Sequence, residues 1–444
     1  MQTGKRTLVA GIVLVAALAG AVGMAWSGPT SDPPTAAGYG AGWLARQFTA
    51  QGFIPASGGA ADYGDTAPAA LALAAANAGG TQVANAVTYL KAHVDEDVKD
   101  SHGNDLPGRL GLLLMLAAVH GDDAHNFGGQ DLVARLQATR QTTGADTGFF
   151  GPSASGAAMF DGTLRQSLSL LGLAAAKVTP DASSVQWLTG QQCPDGGWQA
   201  YRSDTTKPCD ATDLTNFAGE DTNSTALAVE ALVALKTLPA HDAGAFLDST
   251  QNGDGGFGVF KGSDTDANST GLVLQAIVAG GENPTTGRWA AGAANPDTAL
   301  LALQLGCSSP EADRGSFAFQ PASADYVSRL LATIQAVPGA AGAPFPLSQS
   351  NPSTATPQVA CASTTTTTSS TVPSTSTTVA PGGGVTTTTT TPVQAVKGVT
   401  LPETGAASTH DLVRLALGLI GAGLALAVIG RPKPRWSHLV QGGA

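Results

Sequence analysis

Short apolar runs with helical spacing alternate with Gly-rich turns along the chain, and two neighbouring stretches repeat one unit almost residue for residue. Each unit is a short helix ending in Gln, a Gly-Gly turn carrying an aromatic residue, and a second helix that begins at Asp. The first copy runs from Val185 through Gln192–Trp198 to Asp221–Leu232, and the second runs from Phe246 through Gln251–Phe257 to Asp266–Ile277. Asp before Ser or Thr favours a helix start, because its oxygen accepts the free N–H groups of the first turn.

The same outer helix, turn and inner helix are predicted six times between residues 39 and 347. Outer helices are expected near Trp43–Ala50, Val83–His93, Leu132–Arg140, Val185–Leu188, Phe246–Leu247 and Asp297–Leu305. Inner helices are expected after Asp65, at Arg109–His120, at Leu164–Lys177, after Asp221 and Asp266, and at Tyr326–Ala336. Such repeats cannot bury their apolar faces alone and must stack on their neighbours.

The two strong units resemble the prenyltransferase and squalene-cyclase repeat, which builds α/α toroids in those enzymes, in cobalamin carriers and in complement-type domains. The resemblance implies an all-α fold in which six helix pairs close into an α6/α6 barrel with parallel inner helices. Inner helices rich in Ala and Gly fit such a crowded ring. Periodicity alone would equally permit an open solenoid.

The N-terminus has the features of a secretory signal. Lys5 and Arg6 precede an apolar run from Leu8 to Ala25, and small residues at Ala25 and Ser27 predict cleavage after residue 27. The alternative is an uncleaved N-terminal anchor. Residues 28–38 are rich in Pro, Ala and Thr and are predicted to be a linker.

The C-terminus resembles the LPxTG sorting signal of Gram-positive surface proteins. A Thr-rich segment at 348–400 is predicted to be a disordered stalk, and Leu401, Pro402, Glu403, Thr404 and Gly405 form the motif. An apolar helix at 412–430 and a basic tail at 431–444 would hold the exported chain in the membrane until sortase acts. The resemblance implies that sortase cleaves after Thr404 and joins it to peptidoglycan, so the partners are sortase and the cell wall. A simple membrane anchor is the alternative.

Composition narrows the remaining classes of function. Charged residues are 12% of the chain and the net charge is −11, so the basic surface that nucleic-acid binding requires is absent. We expect a monomer that meets the membrane only through its two terminal segments. In an exported chain the four cysteines favour disulfides, and we expect Cys193–Cys209 and Cys307–Cys361 among three possible connectivities.

If the barrel closes, all inner helices begin at one mouth. Six acidic residues would ring this mouth: Asp65, Asp105, Asp161, Asp221, Asp266 and Asp325. They either cap their own helices or attract a cation or polar ligand. Arg109, Arg165 and Arg329 each follow an Asp by four residues, a spacing that allows a local ion pair or a shared site for a carboxylate, phosphate or sulfate.

The residues that carry the family's chemistry are replaced. Squalene–hopene-type cyclases protonate their substrate with the middle Asp of an Asp-x-Asp-Asp-Thr-Ala stretch, and the matching positions here are Asn223 and Asn268. Asn has no acidic proton to give. Asp264-Thr265-Asp266-Ala267 is a near match in a shifted register. The repeats also lack a zinc-ligand spacing, and no cofactor is indicated.

The sequence therefore predicts a wall-anchored toroid that is not an enzyme but a binding module for an unidentified small or polymeric ligand. A terpenoid cyclase-like enzyme and a structural adhesin or spacer are the alternatives. A cavity lined by Arg, Trp and Tyr would favour the binding module. A deep apolar cavity with a lone Asp would favour the enzyme, and a filled barrel would favour the spacer.

Overall fold

The computed structural model describes residues 32–152, 162–200, 202, 207–209, 219–321, 323, 325–348 and 351–361. The signal peptide, most of the Thr-rich segment, the Leu401–Gly405 motif, the apolar segment 412–430 and the basic tail lie outside these residues. No helix within the described residues is long and apolar enough to cross a membrane.

The regular structure of the described residues is almost entirely helical. The α-helices are α1 (Pro33–Ala45), α2 (Tyr63–Ala75), α3 (Gly80–Ala92), α4 (Val94–Val98), α5 (Pro107–His120), α6 (Leu132–Ala138), α7 (Thr163–Ala175), α8 (Ala182–Gly190), α9 (Thr222–Ala234), α10 (Ala243–Thr250), α11 (Ala267–Ala279), α12 (Pro296–Leu301) and α13 (Tyr326–Ala340). A two-stranded antiparallel ribbon pairs β1 (Trp198–Gln199) with β2 (Glu220–Asp221). The short helix α4 was not predicted.

Six inner helices form a closed ring. In ring order they are α2, α5, α7, α9, α11 and α13, and each packs against the next. The last of them, α13, packs against the first, α2. This contact between the two ends of the repeat array makes the fold an α6/α6 toroid and excludes the open solenoid.

The outer layer closes in the same way. Helices α3, α6, α8, α10 and α12 each pack against the inner helix that precedes them in the chain. Helix α1 has no preceding inner helix and packs instead against α13. The first outer helix therefore covers the last unit, and both layers join the N-terminal part of the chain to the C-terminal part.

Glycines allow the inner helices to approach one another closely. A Cβ built at Gly172 of α7 would lie 2.6 Å from the Cα of Gly111 on α5, closer than real Cβ atoms approach. The pair Gly271 and Gly339 lies at a similar contact between α11 and α13. Backbones can pack this tightly only where neither residue carries a side chain.

A glutamine amide links each of three units to the following one. Gln192 donates to the carbonyls of Gly196 at 2.8 Å and His241 at 3.0 Å. Gln251 donates to Gly255 at 2.8 Å and to Trp289 at 3.0 Å. One acceptor belongs to the unit's own turn and the other to the segment that leads into the next outer helix.

The third of these glutamines closes the outer layer. Gln304 donates to the carbonyl of Gly315 at 2.9 Å in its own turn and to that of Ala36 at 2.7 Å in α1. The final unit is thus bonded to the first by the same contact that joins successive units. In the third unit an inner-helix residue, Gln166, makes the equivalent bridge to Gly148 at 3.1 Å and Ser184 at 2.9 Å.

Inner-helix hydroxyl groups fix the same turns from the inside. Thr225 accepts the backbone N–H of Trp198 at 2.9 Å, and Thr270 accepts that of Phe257 at 3.0 Å. Each aromatic side chain is thereby placed between the two layers, where it is fully buried. The sequence pattern of Gln, Gly-Gly, aromatic residue and Thr is explained by these bonds.

The toroid begins earlier than predicted. The composition predicts residues 33–38 to be part of the linker 28–38, but they form the first turns of α1. Asp32 caps this helix by accepting the N–H of Thr35 at 3.1 Å, and prolines occupy its first positions. Proline favours the first turn because the missing N–H has no helical partner there. The same composition that suggested a linker therefore starts a helix.

The folded region also ends later than residue 347. Residues 343–361, called the C-terminal strap and described except for 349 and 350, return across the toroid. Gly79 and Gly80 donate backbone N–H groups to the carbonyls of Ala355 and Ser353, both at 2.8 Å. This part of the predicted stalk is held by backbone hydrogen bonds of an extended chain, which composition does not reveal.

Both expected disulfides are confirmed. Cys193 is bonded to Cys209, with Cα atoms 5.4 Å apart, and Cys307 is bonded to Cys361, with Cα atoms 5.6 Å apart. The first bond lies within the fourth unit. The second attaches the end of the C-terminal strap to the loop that follows α12.

Replacing Gln304 should destabilise the whole ring. Gln304→Leu keeps a similar volume but removes the side-chain donor that the carbonyls of Ala36 and Gly315 share. Because both residues are buried, we expect the free energy of unfolding to fall by about 2–4 kcal/mol in urea denaturation. Gln47→Leu is the control, since Gln47 donates only to Trp43 near its own helix end. Equal stability of the two variants would contradict the proposed role of Gln304.

Candidate functional site

The candidate site is the mouth formed by the N-terminal ends of the inner helices. The contacts of α5 with α7 show their parallel course, because Gly108 faces Arg165 and Leu168, and Gly111 faces Leu168 and Ser169. The predicted acidic residues should therefore lie at one end of the ring. Asp161 lies outside the described residues.

Three of the predicted acidic residues are helix caps. Asp221 accepts the N–H of Ser224 at 2.7 Å, Asp266 accepts that of Ser269 at 2.7 Å, and Asp325 accepts that of Ser328 at 2.8 Å. The serine hydroxyls of 224 and 269 donate to the second carboxylate oxygen of Asp221 and Asp266, at 2.7 and 3.0 Å. Both oxygens of each buried carboxylate are engaged by its own first turn.

Asp65 and Asp105 do not cap their helices. In α2 the cap is Asp62, which accepts the N–H of Asp65 at 3.2 Å. Helix α5 follows Leu106 and starts with Pro107. Asp105 instead binds Arg135 of α6, through Nε at 3.0 Å and through Nη2. Asp65 and Asp105 therefore do not belong to the expected ring of six helix caps.

The arginines have partners other than those their spacing suggested. Arg109 donates to Asp97 of α4 at 2.6 Å rather than to Asp105, and both side chains are buried. Arg329 pairs with Asp313 at 3.0 Å. Arg165 donates to the carbonyl of Pro152 at 2.9 Å and lies over the ring of Phe149. Each guanidinium is held by a different partner close to its own helix, which gives no support to a shared anion site.

Side chains occupy the axis of the barrel. Thr225 and Thr270 face the outer layer. By helical geometry, the residues two positions before, two positions after and five positions after each threonine face the axis. In α9 and α11 four of these six positions are polar, and the apolar side chains at these positions and their equivalents in α5 and α7 are buried: Leu112, Met115, Leu164, Leu168, Leu171, Leu227 and Leu272. The burial of these leucines and of the methionine leaves little solvent-accessible space along the axis.

Two amides face the axis near the mouth. Asn223 and Asn268 are only 1% and 3% exposed, and they occupy equivalent positions beyond the caps Asp221 and Asp266. The Nδ2 atom of Asn223 and the Oδ1 atom of Asn268 have no hydrogen-bond partner among the described residues. Burial raises the pKa of each capping carboxyl to about 7. The amides can donate and accept hydrogen bonds, but they cannot transfer a proton at neutral pH.

A buried glutamate that sequence reasoning did not select also faces the axis. Glu230 of α9 accepts the backbone N–H of Phe345 at 2.8 Å, and its Oε1 atom has no partner among the described residues. Burial raises the pKa of Glu230 from its ordinary 4.5 to about 8. The signal was present in the repeat, because Gln275 occupies the equivalent position in the next unit.

Other charged clusters in the described residues are internally paired. Asp146 accepts from Arg202 at 2.7 Å and from the indole of Trp187 at 3.0 Å, and Arg202 lies 5.0 Å from the Trp187 ring. An open cleft of about 670 Å³ is lined by Asp95, Asp105 and Arg135, among others. Arg135 binds both carboxylates there, at 2.8 Å in the case of Asp95.

One group of side chains has the spacing of metal ligands but not their chemistry. Ligand atoms of Cys193, Cys209 and Glu220 lie within 4.8 Å of one another. Both sulfurs belong to a disulfide, so they carry no thiolate, the form in which cysteine binds metals.

The chain resembles several solved structures in overall shape. It is 17% identical to a protein from Actinoplanes, with a TM-score of 0.45, covering 70% of this chain and 99% of that one. A type II terpene cyclase, MstE from Scytonema, is 16% identical with a TM-score of 0.46, covering 70% and 96%. A glycosidase is 16% identical with a TM-score of 0.41 and the same coverage. All three scores are below 0.5, so the architecture rests on the helix contacts described above.

No protein-family model matches the chain, and no curated protein matches its sequence. The function must therefore be argued from the residues themselves.

Arg109 should prove structural. Arg109→Gln leaves the buried carboxylate of Asp97 without its partner, and burial already raises the pKa of Asp97 to about 6. We expect a loss of about 3 kcal/mol in the free energy of unfolding, partly restored by adding Asp97→Asn. Arg288→Gln, which breaks exposed contacts to Asp242 and Glu282, should change stability by less than about 1 kcal/mol. An unchanged urea midpoint for Arg109→Gln would contradict this role.

Glu230 should make stability depend on pH. Its pKa is higher in the folded chain than the ordinary 4.5, at about 8, so the folded state binds more protons between these values. Stability therefore falls as pH rises from about 5 to about 8. Glu230→Gln should reduce this slope, and its stability relative to the native chain should improve at pH 8.5 compared with pH 5.5. Parallel pH profiles for the two chains would show that Glu230 is not buried in its neutral form.

Proposed function

We propose that this chain is a non-catalytic toroid displayed at the cell surface and joined covalently to peptidoglycan by sortase. The observation that carries the non-catalytic assignment is the pair of axis-facing amides, Asn223 and Asn268. They stand where the cyclase pattern has its proton donor, and an amide cannot protonate an alkene.

Two further features oppose a cyclase. The nearby carboxyls of Asp221 and Asp266 accept hydrogen bonds from Ser224 and Ser269 through both of their oxygens. In addition, a cyclase must enclose a long apolar substrate, and the axis-facing leucines leave the centre of this barrel filled. The shifted-register match Asp264-Thr265-Asp266-Ala267 contains Asp266, which is one of these two helix-capping carboxyls.

The filled axis also constrains how a ligand could bind. A partner would be held at the surface of the toroid or at its shallow mouth rather than in a deep pocket. This favours contact with a polymer or another macromolecule over enclosure of a small molecule. A structural adhesin or spacer is the other candidate function, and a filled barrel favours it over a module that encloses a small molecule.

Surface display is supported by features at both ends of the sequence. An N-terminal signal precedes the toroid, and the Leu401–Gly405 motif is followed by an apolar segment and basic residues. Two disulfides within the described residues fit an oxidising compartment. The C-terminal strap ends at Cys361, and the rest of the Thr-rich segment, residues 362–400, would connect the toroid to the wall.

Thr404→Ala should abolish wall attachment. The sortase thiolate attacks the carbonyl of the Thr in this motif, so the variant should appear in the membrane fraction or the medium rather than in the wall fraction. Glu403→Gln is the matched control, because it changes the variable position of the motif and should leave attachment intact. Covalent attachment of the Thr404→Ala chain to purified peptidoglycan would refute the anchoring proposal.

Native mass spectrometry tests the filled axis. The Thr404→Ala chain, which carries no wall fragment, should have the mass of the processed polypeptide with no retained small molecule, since the axis offers no enclosed space for one. A stoichiometric apolar molecule that survives purification and leaves on unfolding would instead support the cyclase or carrier alternative.

A further inference from the structure

The C-terminal strap crosses the end of the barrel opposite the mouth before it reaches the outer wall. Phe345 follows α13 and donates its N–H to Glu230 near the end of α9, at 2.8 Å. Asn351 donates to the carbonyl of Val119 near the end of α5, at 3.1 Å. Phe345 and Leu347 pack against the core. The strap therefore leaves the end of α13 and contacts the C-terminal ends of inner helices from two other units, α9 and α5.

The strap then follows the outside of the first unit. Asn77 accepts the N–H of Ser353 at 2.9 Å. Further along, the backbone of Pro357 lies against α1 so closely that a Cβ at Gly42 would overlap its carbonyl oxygen. Glycine at this position is what lets the strap lie flat on the helix.

The Cys307–Cys361 disulfide fastens the end of the strap. Cys307 lies in the loop after α12, and the two cysteines are separated by 54 positions in the sequence. This loop is held to α1 by other contacts, because the indole of Trp43 donates to the carbonyl of Ala312 at 2.8 Å and Arg46 donates to that of Arg314 at 3.2 Å. The disulfide joins the strap to a part of the ring that is itself fixed.

We infer that this disulfide is a force-bearing clasp, which passes tension from the C-terminal tether into the toroid wall and prevents the strap from peeling away. The inference rests on the proposed wall anchoring, since only an anchored chain is pulled from this end. Tension applied beyond Cys361 crosses the sulfur–sulfur bond to Cys307 and bypasses residues 308–360.

The order in which bonds carry the load explains why a clasp is needed. Without the disulfide, tension would act on the last contact of the strap and break its hydrogen bonds one after another. Each such bond contributes little net stability because water can replace it, so serial breakage needs little force. Peeling would expose Glu230 and the core residues under Phe345. A covalent bond at the strap's end removes this route.

Single-molecule force measurement tests the clasp directly. The exported chain is held by handles fused ahead of Asp32 and behind the Thr-rich segment, and extension is recorded before and after a reductant is added to the tethered molecule. Reduction in place avoids any effect on folding. Cys307 is exposed, whereas Cys193 of the other disulfide is fully buried, so the reductant should reach the Cys307–Cys361 bond first.

The oxidised chain should extend only when the toroid itself opens. After reduction, a new step should appear at lower force and release about 60 Å, from ~3.4 Å for each residue of the strap. Complete unfolding should then also yield a chain longer by the loop between Cys307 and Cys361, which exceeds the loop between Cys193 and Cys209 and so shows which bond was cut. A longer final extension without the early step, or an early step before reduction, would overturn the inference.

A matched variant separates the two disulfides. Cys193→Ser/Cys209→Ser lacks the bond in the fourth unit and should still show the early step only after reduction. If the early step were missing in this variant, the step would come from the Cys193–Cys209 bond, and the inference would be overturned. The force measurement needs no cell wall. If the Thr404→Ala chain were still attached to the wall, that result would count against sortase anchoring alone, and the force measurement could still be interpreted.

Discussion

The ring depends on a glutamine that precedes the turn of a unit. Its side-chain amide donates one hydrogen bond to each of two backbone carbonyls. Gln192, Gln251 and Gln304 each donate to the turn of their own unit and to the chain that begins the next unit. A single amide thus fixes the shape of a turn and the placement of its neighbour. Because Gln304 reaches Ala36, the same contact converts a linear array into a closed one.

Closure imposes a further constraint on the inner helices. Six helices around one axis must approach each other closely. At the backbone contacts Gly111–Gly172 and Gly271–Gly339 there is no room for a side chain, so glycine is required there. Larger residues then occupy the axis itself. This packing also buries polar side chains. Asn223, Glu230 and Asn268 each have a buried atom with no hydrogen-bond partner among the described residues.

The sequence allowed much of this fold to be predicted because the repeat is local. Each outer helix, turn and inner helix carries its own caps and its own Gln, Gly and Thr, so six units could be recognised without knowing how they meet. Both disulfides were expected for the same reason, since their cysteines bracket recognisable elements. The first and last boundaries were wrong because α1 and the strap are stabilised by distant parts of the chain.

The charged residues of the mouth were harder to predict. Arg109 lies four positions after Asp105, but its partner is Asp97 on the unpredicted helix α4, and Asp105 binds Arg135 from another helix. Spacing along one helix cannot reveal partners that arrive from loops and neighbouring helices. Glu230 was overlooked because its hydrogen-bond partner, the backbone N–H of Phe345, lies far away in the sequence on the strap.

Amide hydrogen exchange, followed helix by helix, tests the closed ring most directly. A closed toroid has no terminal repeats, so the amides of α2 and α13 should exchange as slowly as those of α7 and α9, in one cooperative opening. An open array would fray from its ends, because each repeat would then be held only by its neighbours. Protection that declines from the central units toward α2 and α13 would contradict the account.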